Sequence, residues 1–136
     1  MIAADTNVWA RAYLNDDVAQ AMKARSVIEA ECQQGGVFVP LIVLAELFWV
    51  LRSRWKKERV LQTLGHLLET DGVVVEAPTV VAKALKEARA AKLKPRIVAA
   101  GFADLLIAHV ALANGANEVI TFDKSFGRQP RVRRLS

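Results

Sequence analysis

The chain has 136 residues, of which 53% are hydrophobic, and it carries a formal net charge of +5 at pH 7. This length predicts a single domain over residues 1–136 that can bury a core, and the apolar content excludes an intrinsically disordered chain. No apolar run reaches the roughly 18 residues that span a bilayer, and no basic leader precedes the first apolar residues. We therefore expect a cytoplasmic protein that does not insert into a membrane.

Apolar strands and helices alternate along the chain. The sequence predicts, in order, a short buried strand at 2–4, a helix at 18–34, a strand at 37–40, a helix at 41–54 that is buried on several sides, a helix at 57–69, a strand at 72–76, helices at 79–92 and 102–114, a strand at 118–122 and an edge strand near Val132. This alternation predicts an α/β fold whose parallel sheet is covered by helices on both faces. Active sites in such folds lie beyond the carboxyl ends of the strands.

Four carboxylates lie in apolar surroundings, unlike the other acids of the chain. Asp5 ends the first strand, and Asp123 ends the strand "VITF". Glu46 lies within "LIVLAELFWV", and Asp104 lies within "GFADLLIAHVALA". Because burying an isolated carboxylate is costly, such groups are normally paired, hydrogen-bonded or bound to a metal ion.

Each of these acids also has a simpler structural explanation. The two strand-end acids fit turns or helix caps. Asp104 falls in the first turn of its predicted helix, where the helix dipole favours a negative charge. Glu46 has no free backbone N–H to accept from, and a salt bridge with Arg11 or Arg52 is its simplest explanation. The four acids together fit one acidic pocket better than four separate explanations do.

An acidic pocket of this kind predicts a divalent cation. Two unit charges about 5 Å apart repel by roughly 3 kcal/mol at an effective dielectric of about 20, so four carboxylates either take up protons or bind a cation. Oxygen ligands alone select Mg²⁺ or Mn²⁺ rather than zinc. Such an ion activates water and stabilises charge on a phosphodiester, which predicts a metal-dependent nuclease.

Two basic clusters favour a polyanionic partner such as nucleic acid, although each alone is typical of solvated surface. One is "RSRWKKER" at 52–59, and the other spans 124–134, within a tail that contains no acid. Trp55, in the first cluster, is the best candidate to stack on a base. Trp9 and Trp49 lie in apolar segments, where packing is the stronger interpretation.

The other reactive side chains are predicted to be structural. His66 and His109 are far apart in sequence, and the chain has no zinc-ligand spacing, phosphate-binding loop or Ser-His-Asp motif. We expect His109 to lie in the core or at its boundary. Cys32 shares a helix face with apolar residues, which favours a reduced core thiol over a nucleophile.

Four segments, in this order, resemble a PIN-domain ribonuclease: "DTNVWARAYLNDD", "PLIVLAELFWVL", "FADLLIAHVALANGA" and "VITFDKSF". The short single-domain form looks like the VapC toxins of bacterial toxin–antitoxin pairs. The resemblance implies a three-layer α/β/α sandwich with a central, mostly parallel five-stranded sheet. It also implies Mg²⁺- or Mn²⁺-dependent endonucleolytic cleavage of RNA.

The resemblance further implies roles for individual residues and for partners. The three core metal ligands and a fourth, less constant one correspond to Asp5, Glu46, Asp104 and Asp123. Thr6 or Asn7, and Thr121, fall where similar proteins keep polar residues that position acids or water. Similar proteins pair with a small antitoxin and are commonly homodimers.

Two alternative functions remain open at this point. A related metal nuclease could act on DNA, because the chemistry needs no 2′-hydroxyl. A non-catalytic α/β module, binding nucleic acid or acting as a phospho-accepting receiver, is the other alternative. A receiver needs paired acids after its first strand and an aspartate at the end of its third, which Asn7 and "VVVE" do not supply.

Overall fold

A computed structural model of the chain describes residues 1–90 and 101–136. They form two compact units, Met1–Pro78 and Thr79–Ser136. The elements are, in order, β1 (Ile2–Ala3), α1 (Thr6–Leu14), α2 (Val18–Cys32), β2 (Val37–Val39), α3 (Leu41–Arg52), α4 (Lys57–Glu69), β3 (Val73–Val75), α5 (Pro78–Ala90), α6 (Phe102–Ala113), β4 (Val119–Thr121), a short 3-10 helix (Phe126–Arg128) and β5 (Val132–Arg134).

The first unit is built on a parallel three-stranded sheet in the order β1-β2-β3. Val37 of the central strand lies opposite both Ile2 and Val73. Parallel strands need long connections. Here α1 and α2 connect β1 to β2, and α3 and α4 connect β2 to β3. The chain therefore leaves every strand of this sheet at the same edge, and Asp5 follows β1 at that edge.

The core of the first unit lies among its helices. α1 packs against α2 and α3, and α3 packs against α4. Leu44, Leu47 and Leu51 form a fully buried stripe along α3, and Leu64 of α4 is also fully buried. Burying one such side chain contributes about 1.5–3 kcal/mol. The backbone N–H of Leu41, at the start of α3, donates to the Glu76 carboxylate at 2.8 Å.

The second unit contains α5, α6 and the parallel pair β4–β5, which the 3-10 helix connects. Thr121, the last residue of β4, lies opposite Arg134, the last residue of β5. The 3-10 helix contacts both strands, and Phe126 at its start is buried. Asp123 therefore lies on a short connection that is fixed at both ends.

The α/β class and the five strands are confirmed, including the parallel edge strand after Val132. The strands are divided into sheets of three and two, whereas the resemblance implied one sheet of five. Each strand is only two or three residues long, so each offers few ladder hydrogen bonds to a neighbour. The five predicted helices are found within two residues of their bounds, except that residues 91 and 92 of the helix predicted at 79–92 lie outside the described ranges.

Helix α1 was not predicted. Asp5 caps it, and Asn15 ends it in the left-handed conformation with φ 55°. Both are residue types that favour these positions. Trp9 and Ala10 supply its buried side. The capping explanation for Asp5 was recognised in the sequence, but no helix was predicted to follow it.

Two predictions of burial were wrong. The first strand is not buried, because Ile2 is 37% exposed. Among the described residues, helix α3 packs on one side, and on its other side Ile42 is 69% and Trp49 60% exposed. The packing predicted for Trp49 is therefore wrong, whereas that of Trp9, at 3% exposed, is confirmed. Within 1–90 and 101–136, no helix, α3 included, is long and apolar enough to cross a membrane.

Replacing Gly72 with alanine is expected to lower the free energy of unfolding by about 2–5 kcal/mol. Gly72 has φ +85°, and an added Cβ would lie 2.7 Å from Cα and Cβ of Cys32 and would also clash with the Cys32 carbonyl oxygen. The matched control is Gly115→Ala, where φ is +95° but an added Cβ meets no described atom within 4 Å. Urea unfolding of both variants separates the cost of the backbone conformation from the cost of the clash. Equal losses in the free energy of unfolding would show that the clash costs nothing.

Candidate functional site

Asp5 is the N-cap of α1. Its Oδ1 accepts a hydrogen bond from the Val8 backbone N–H at 3.1 Å. The capping explanation for this residue is therefore confirmed, but it uses only one carboxylate oxygen. Since the side chain is exposed, the second oxygen can bind another group while the first holds the carboxylate in one orientation.

Glu46 lies on the exposed side of α3 and contacts the segment that follows Asp5. The Thr6 hydroxyl donates to Glu46 Oε1 at 3.3 Å. The predicted salt bridges are absent from the described part of the chain. Arg11 pairs with Asp16 at 2.9 Å, and Arg52 donates to a backbone carbonyl at 3.2 Å. Glu46 is thus oriented by a hydroxyl and is not neutralised by either arginine.

Asp104 and Asp123 are brought together in the second unit. Asp104 is half-buried in the first turn of α6. Burial of the Asp104 carboxyl, and next the negative charge of Asp123, raise the pKa of Asp104 above its ordinary value of 3.8. A hydrogen bond from the Gly101 backbone opposes this rise. The raised pKa of Asp104 therefore reflects mainly its burial and, second, the nearby charge of Asp123.

Asp123 is held by two hydrogen bonds, one to its side chain and one from its backbone N–H. Its Oδ2 accepts from the Phe126 backbone N–H at 2.7 Å, at the start of the 3-10 helix. Its own N–H donates to the Thr121 hydroxyl at 3.0 Å. The turn explanation for Asp123 is confirmed, and Thr121 is the residue that fixes the backbone where this acid leaves β4.

Three of the acids share one arrangement, in which a single donor holds one carboxylate oxygen. Within residues 1–90 and 101–136, the hydrogen bonds of these carboxylates involve only Oδ1 of Asp5, Oε1 of Glu46 and Oδ2 of Asp123. Carboxylates oriented in this way, each with an oxygen left over, suit a hard cation, because Mg²⁺ and Mn²⁺ take oxygen ligands. No described Lys or Arg side chain contributes to the pKa of Asp104.

The candidate residues therefore form two groups, one in each unit. Asp5, Thr6 and Glu46 belong to the first unit, and Asp104, Thr121 and Asp123 belong to the second. In the described ranges, no three His, Cys, Asp or Glu side chains form a group that could hold a metal ion. Each group by itself thus supplies two acids.

Asn7 contacts none of these acids through a hydrogen bond in the part of the chain that the structure describes. It is exposed and lines a cavity of about 510 Å³ between α1 and α2. The neighbouring Thr6 makes the contact with Glu46. Of the two residues that the sequence offered for this position, Thr6 is the one that orients an acid, and the role of Asn7 stays a prediction.

Comparison with known families decides the family of the chain. The model of the PIN domain matches residues 2–132. The chain belongs to the PIN-domain family. This match confirms the resemblance drawn from the four segments, and it extends over nearly the whole sequence. Among curated proteins, no sequence matches the chain.

Two solved structures are similar to this PIN domain. VapC20 of Mycobacterium tuberculosis, a sarcin-ricin-loop-cleaving toxin, has 20% sequence identity and a TM-score of 0.46, with 93% of each chain covered. VapBC2 from Rickettsia felis, bound to a DNA fragment from its promoter, has 24% identity and a TM-score of 0.42, with 99% of this chain and 98% of that chain covered.

The basic cluster at 52–59 has intramolecular partners in this PIN domain. Arg54 lies 3.7 Å from Asp16, and the Arg59 guanidinium lies 3.8 Å above the Trp55 ring. The Trp55 and Tyr13 rings form a T-shaped pair with centroids 6.3 Å apart. Because one face of Trp55 is covered by Arg59, the structure favours a packing role for Trp55 over the predicted stacking on a base.

The remaining reactive side chains of the PIN domain have structural surroundings. Burial raises the pKa of the half-buried Cys32 thiol, which disfavours the thiolate. His109 is half-buried, as predicted, and its Nε2 lies 3.1 Å from Glu87 Oε1. Burial raises the pKa of Tyr13 to about 12, so this phenol stays neutral at physiological pH.

Proposed function

We propose that this PIN domain is a Mg²⁺- or Mn²⁺-dependent endoribonuclease and the toxin component of a toxin–antitoxin pair. The observation that carries the proposal is that Asp104 and Asp123 lie close enough for their charges to interact. The pKa of Asp104 is raised by burial and by Asp123, while Thr121 and the 3-10 helix hold Asp123 in place. Two neighbouring carboxylates, one of them held by local hydrogen bonds, are a suitable binding site for a cation.

We assign Asp5, Glu46, Asp104 and Asp123 as the metal ligands. The proposed catalytic residues are these four acids together with Thr121 and Asn7, which position acids or water. The metal, when bound, supplies an activated water and stabilises negative charge on the phosphodiester. The chain supplies orientation. The Val8 N–H holds Asp5, Thr6 holds Glu46, and Thr121 fixes the backbone of Asp123.

We also propose a cytoplasmic location, a protein antitoxin as partner and a homodimeric assembly. The exposed side of α3 supports binding to an antitoxin and to a second copy of the chain, because the large apolar side chains of Ile42 and Trp49 are exposed there. Exposed apolar patches of this kind mark protein–protein interaction sites. Glu46 lies on the same side of α3, so a partner that covers this surface would also reach one of the proposed ligands.

Purified protein tests the proposed activity directly. It is incubated with a labelled single-stranded RNA and with a DNA of the same sequence, in EDTA, in Mg²⁺ and in Mn²⁺. We expect internal cleavage of the RNA in either metal, intact RNA in EDTA, and intact DNA throughout. Equal cleavage of the DNA would favour the DNA nuclease, and intact RNA in both metals would overturn the proposed chemistry. Growth arrest on expression, relieved by the antitoxin, tests the toxin assignment.

A further inference from the structure

Two arginines of the basic tail are held by hydrogen bonds within the protein. Arg131 donates from Nε and Nη2 to the Asn117 carbonyl oxygen at 3.0 and 2.8 Å. Arg133 donates from Nε and Nη2 to Glu118 Oε1 at 2.9 and 2.7 Å. These hydrogen bonds lower the pKa of Glu118 and raise that of Arg133. Both arginines therefore connect the β5 segment to the residues that precede β4.

Arg134 is different, although it directly follows Arg133. It is exposed, and across 1–90 and 101–136 it has no ion pair or side-chain hydrogen bond. Successive residues of a strand point to opposite faces, so the pairing of Arg133 with Glu118 places Arg134 on the other face of β5. An exposed guanidinium without a partner can bind an anionic ligand.

The position of Arg134 relates it to the candidate site. It lies opposite Thr121 in the β4–β5 register, and adjacent strands are about 4.8 Å apart. Register partners in a parallel pair share a face. Thr121 is the residue whose hydroxyl accepts from the Asp123 N–H. Arg134 is thus one strand away from the residue that fixes Asp123.

Gly127 brings Arg134 still closer to the segment that Asp123 begins. A Cβ at Gly127 would lie 2.7 Å from the Arg134 Cβ, so only glycine allows this approach. Gly127 N–H donates to the Asp123 carbonyl oxygen at 3.0 Å. Asp123, the 3-10 helix and Arg134 therefore form one continuous local structure, in which Gly127 contacts both the Asp123 carbonyl oxygen and the base of the Arg134 side chain.

We propose that Arg134 binds a phosphate of the RNA beside the Asp104 and Asp123 pair and positions the substrate, whereas Arg131 and Arg133 are structural. This inference rests on the proposed function. A polyanion that approaches two carboxylates is repelled by them, and a neighbouring cation offsets that repulsion. Guanidinium suits this role, because it binds phosphate oxygens through two parallel hydrogen bonds.

The test compares Arg134→Gln with Arg133→Gln, two neighbours that lose the same charge. Binding of a labelled single-stranded RNA is measured by fluorescence anisotropy in EDTA, at several salt concentrations. We expect Arg134→Gln to weaken binding about tenfold and to reduce the slope of log K against log salt by about 0.7, the value for one phosphate contact on a single strand. Arg133→Gln is expected to keep the wild-type slope. Arg134→Lys should restore the slope, because it restores the charge.

Equal slopes for the two glutamine variants would overturn the inference. Cleavage by the wild type in Mg²⁺ is measured in parallel and reports separately on the proposed function. A wild type that cleaves RNA while Arg134→Gln keeps its slope overturns the inference alone. A wild type that binds RNA through Arg134 but cleaves nothing overturns the proposed function and leaves the phosphate contact standing.

Discussion

An Asp5→Asn variant is expected to lose Mg²⁺-dependent RNA cleavage by at least about a hundredfold while its free energy of unfolding stays at the wild-type value. The estimate follows from the several kcal/mol of transition-state stabilisation that a catalytic metal supplies, at about 1.4 kcal/mol for each tenfold in rate. Single-turnover cleavage and urea unfolding, measured on the same preparation, give the two quantities.

The structure allows the capping role of Asp5 to be tested separately from its proposed role as a metal ligand. Its Oδ1 caps α1 through the Val8 N–H, and asparagine caps a helix as well as aspartate does. The substitution therefore keeps the cap and removes only the charge that a metal ion needs. Asp5→Ala removes both, and we expect it to cost about 1 kcal/mol of stability in addition.

Asp17→Asn is the matched control. Asp17 is the N-cap of α2, and its Oδ1 accepts from the Gln20 N–H at 3.0 Å, in the same geometry as Asp5. We expect this variant to keep both stability and cleavage. If Asp5→Asn cleaves as fast as Asp17→Asn does, Asp5 is a cap and not a ligand.

The elements could be predicted because their signals are local. Helix α4 has the predicted bounds, since an amphipathic pattern and the residues at its ends define it without reference to the rest of the chain. Burial is not local. The apolar content of α3 predicts burial on several sides, but a side is buried only where another element packs against it, and Ile42 and Trp49 have no such neighbour among the described residues.

The same distinction applies to the candidate site. The four acids could be named because a carboxylate in an apolar segment is costly wherever that segment lies. The residues that orient them were named only through the family resemblance, because choosing Thr6 over Asn7 depends on which side of α1 faces α3. Likewise, the separate surroundings of Arg133 and Arg134 follow from the register of β5, which a cluster of basic residues in the sequence does not reveal.

An Asp104→Asn variant is expected to be inactive and yet more stable than the wild type at pH 7 in EDTA. Burial and Asp123 raise the pKa of Asp104 in the folded protein above its ordinary value of 3.8. The folded state therefore binds more protons than the unfolded state as the pH rises above that value, so its stability falls over this range. The loss persists at neutral pH, where asparagine avoids it.

Glu118→Gln provides a control of opposite sign in the same unit. The hydrogen bond from Arg133 lowers the pKa of Glu118, so its charge stabilises the fold above the ordinary pKa, and this contribution is lost as the pH falls. We expect Glu118→Gln to lower the melting temperature at pH 7 and Asp104→Asn to raise it. Both differences should shrink towards zero in acid.

Magnesium is expected to make the wild type more stable than Asp104→Asn, the reverse of their order in EDTA. A ligand that binds only the folded state stabilises it by about 2.7 kcal/mol at a hundred times its Kd, and Asp104→Asn lacks one of the proposed ligands. The wild type should therefore gain stability on titration with Mg²⁺, whereas Asp104→Asn should gain little and Glu118→Gln as much as the wild type. Equal gains for all three proteins would show that the charge of Asp104 serves something other than a metal ion. If only Asp104→Asn fails to gain stability from Mg²⁺, the charge of Asp104 that destabilises the metal-free protein is the charge that binds the cation.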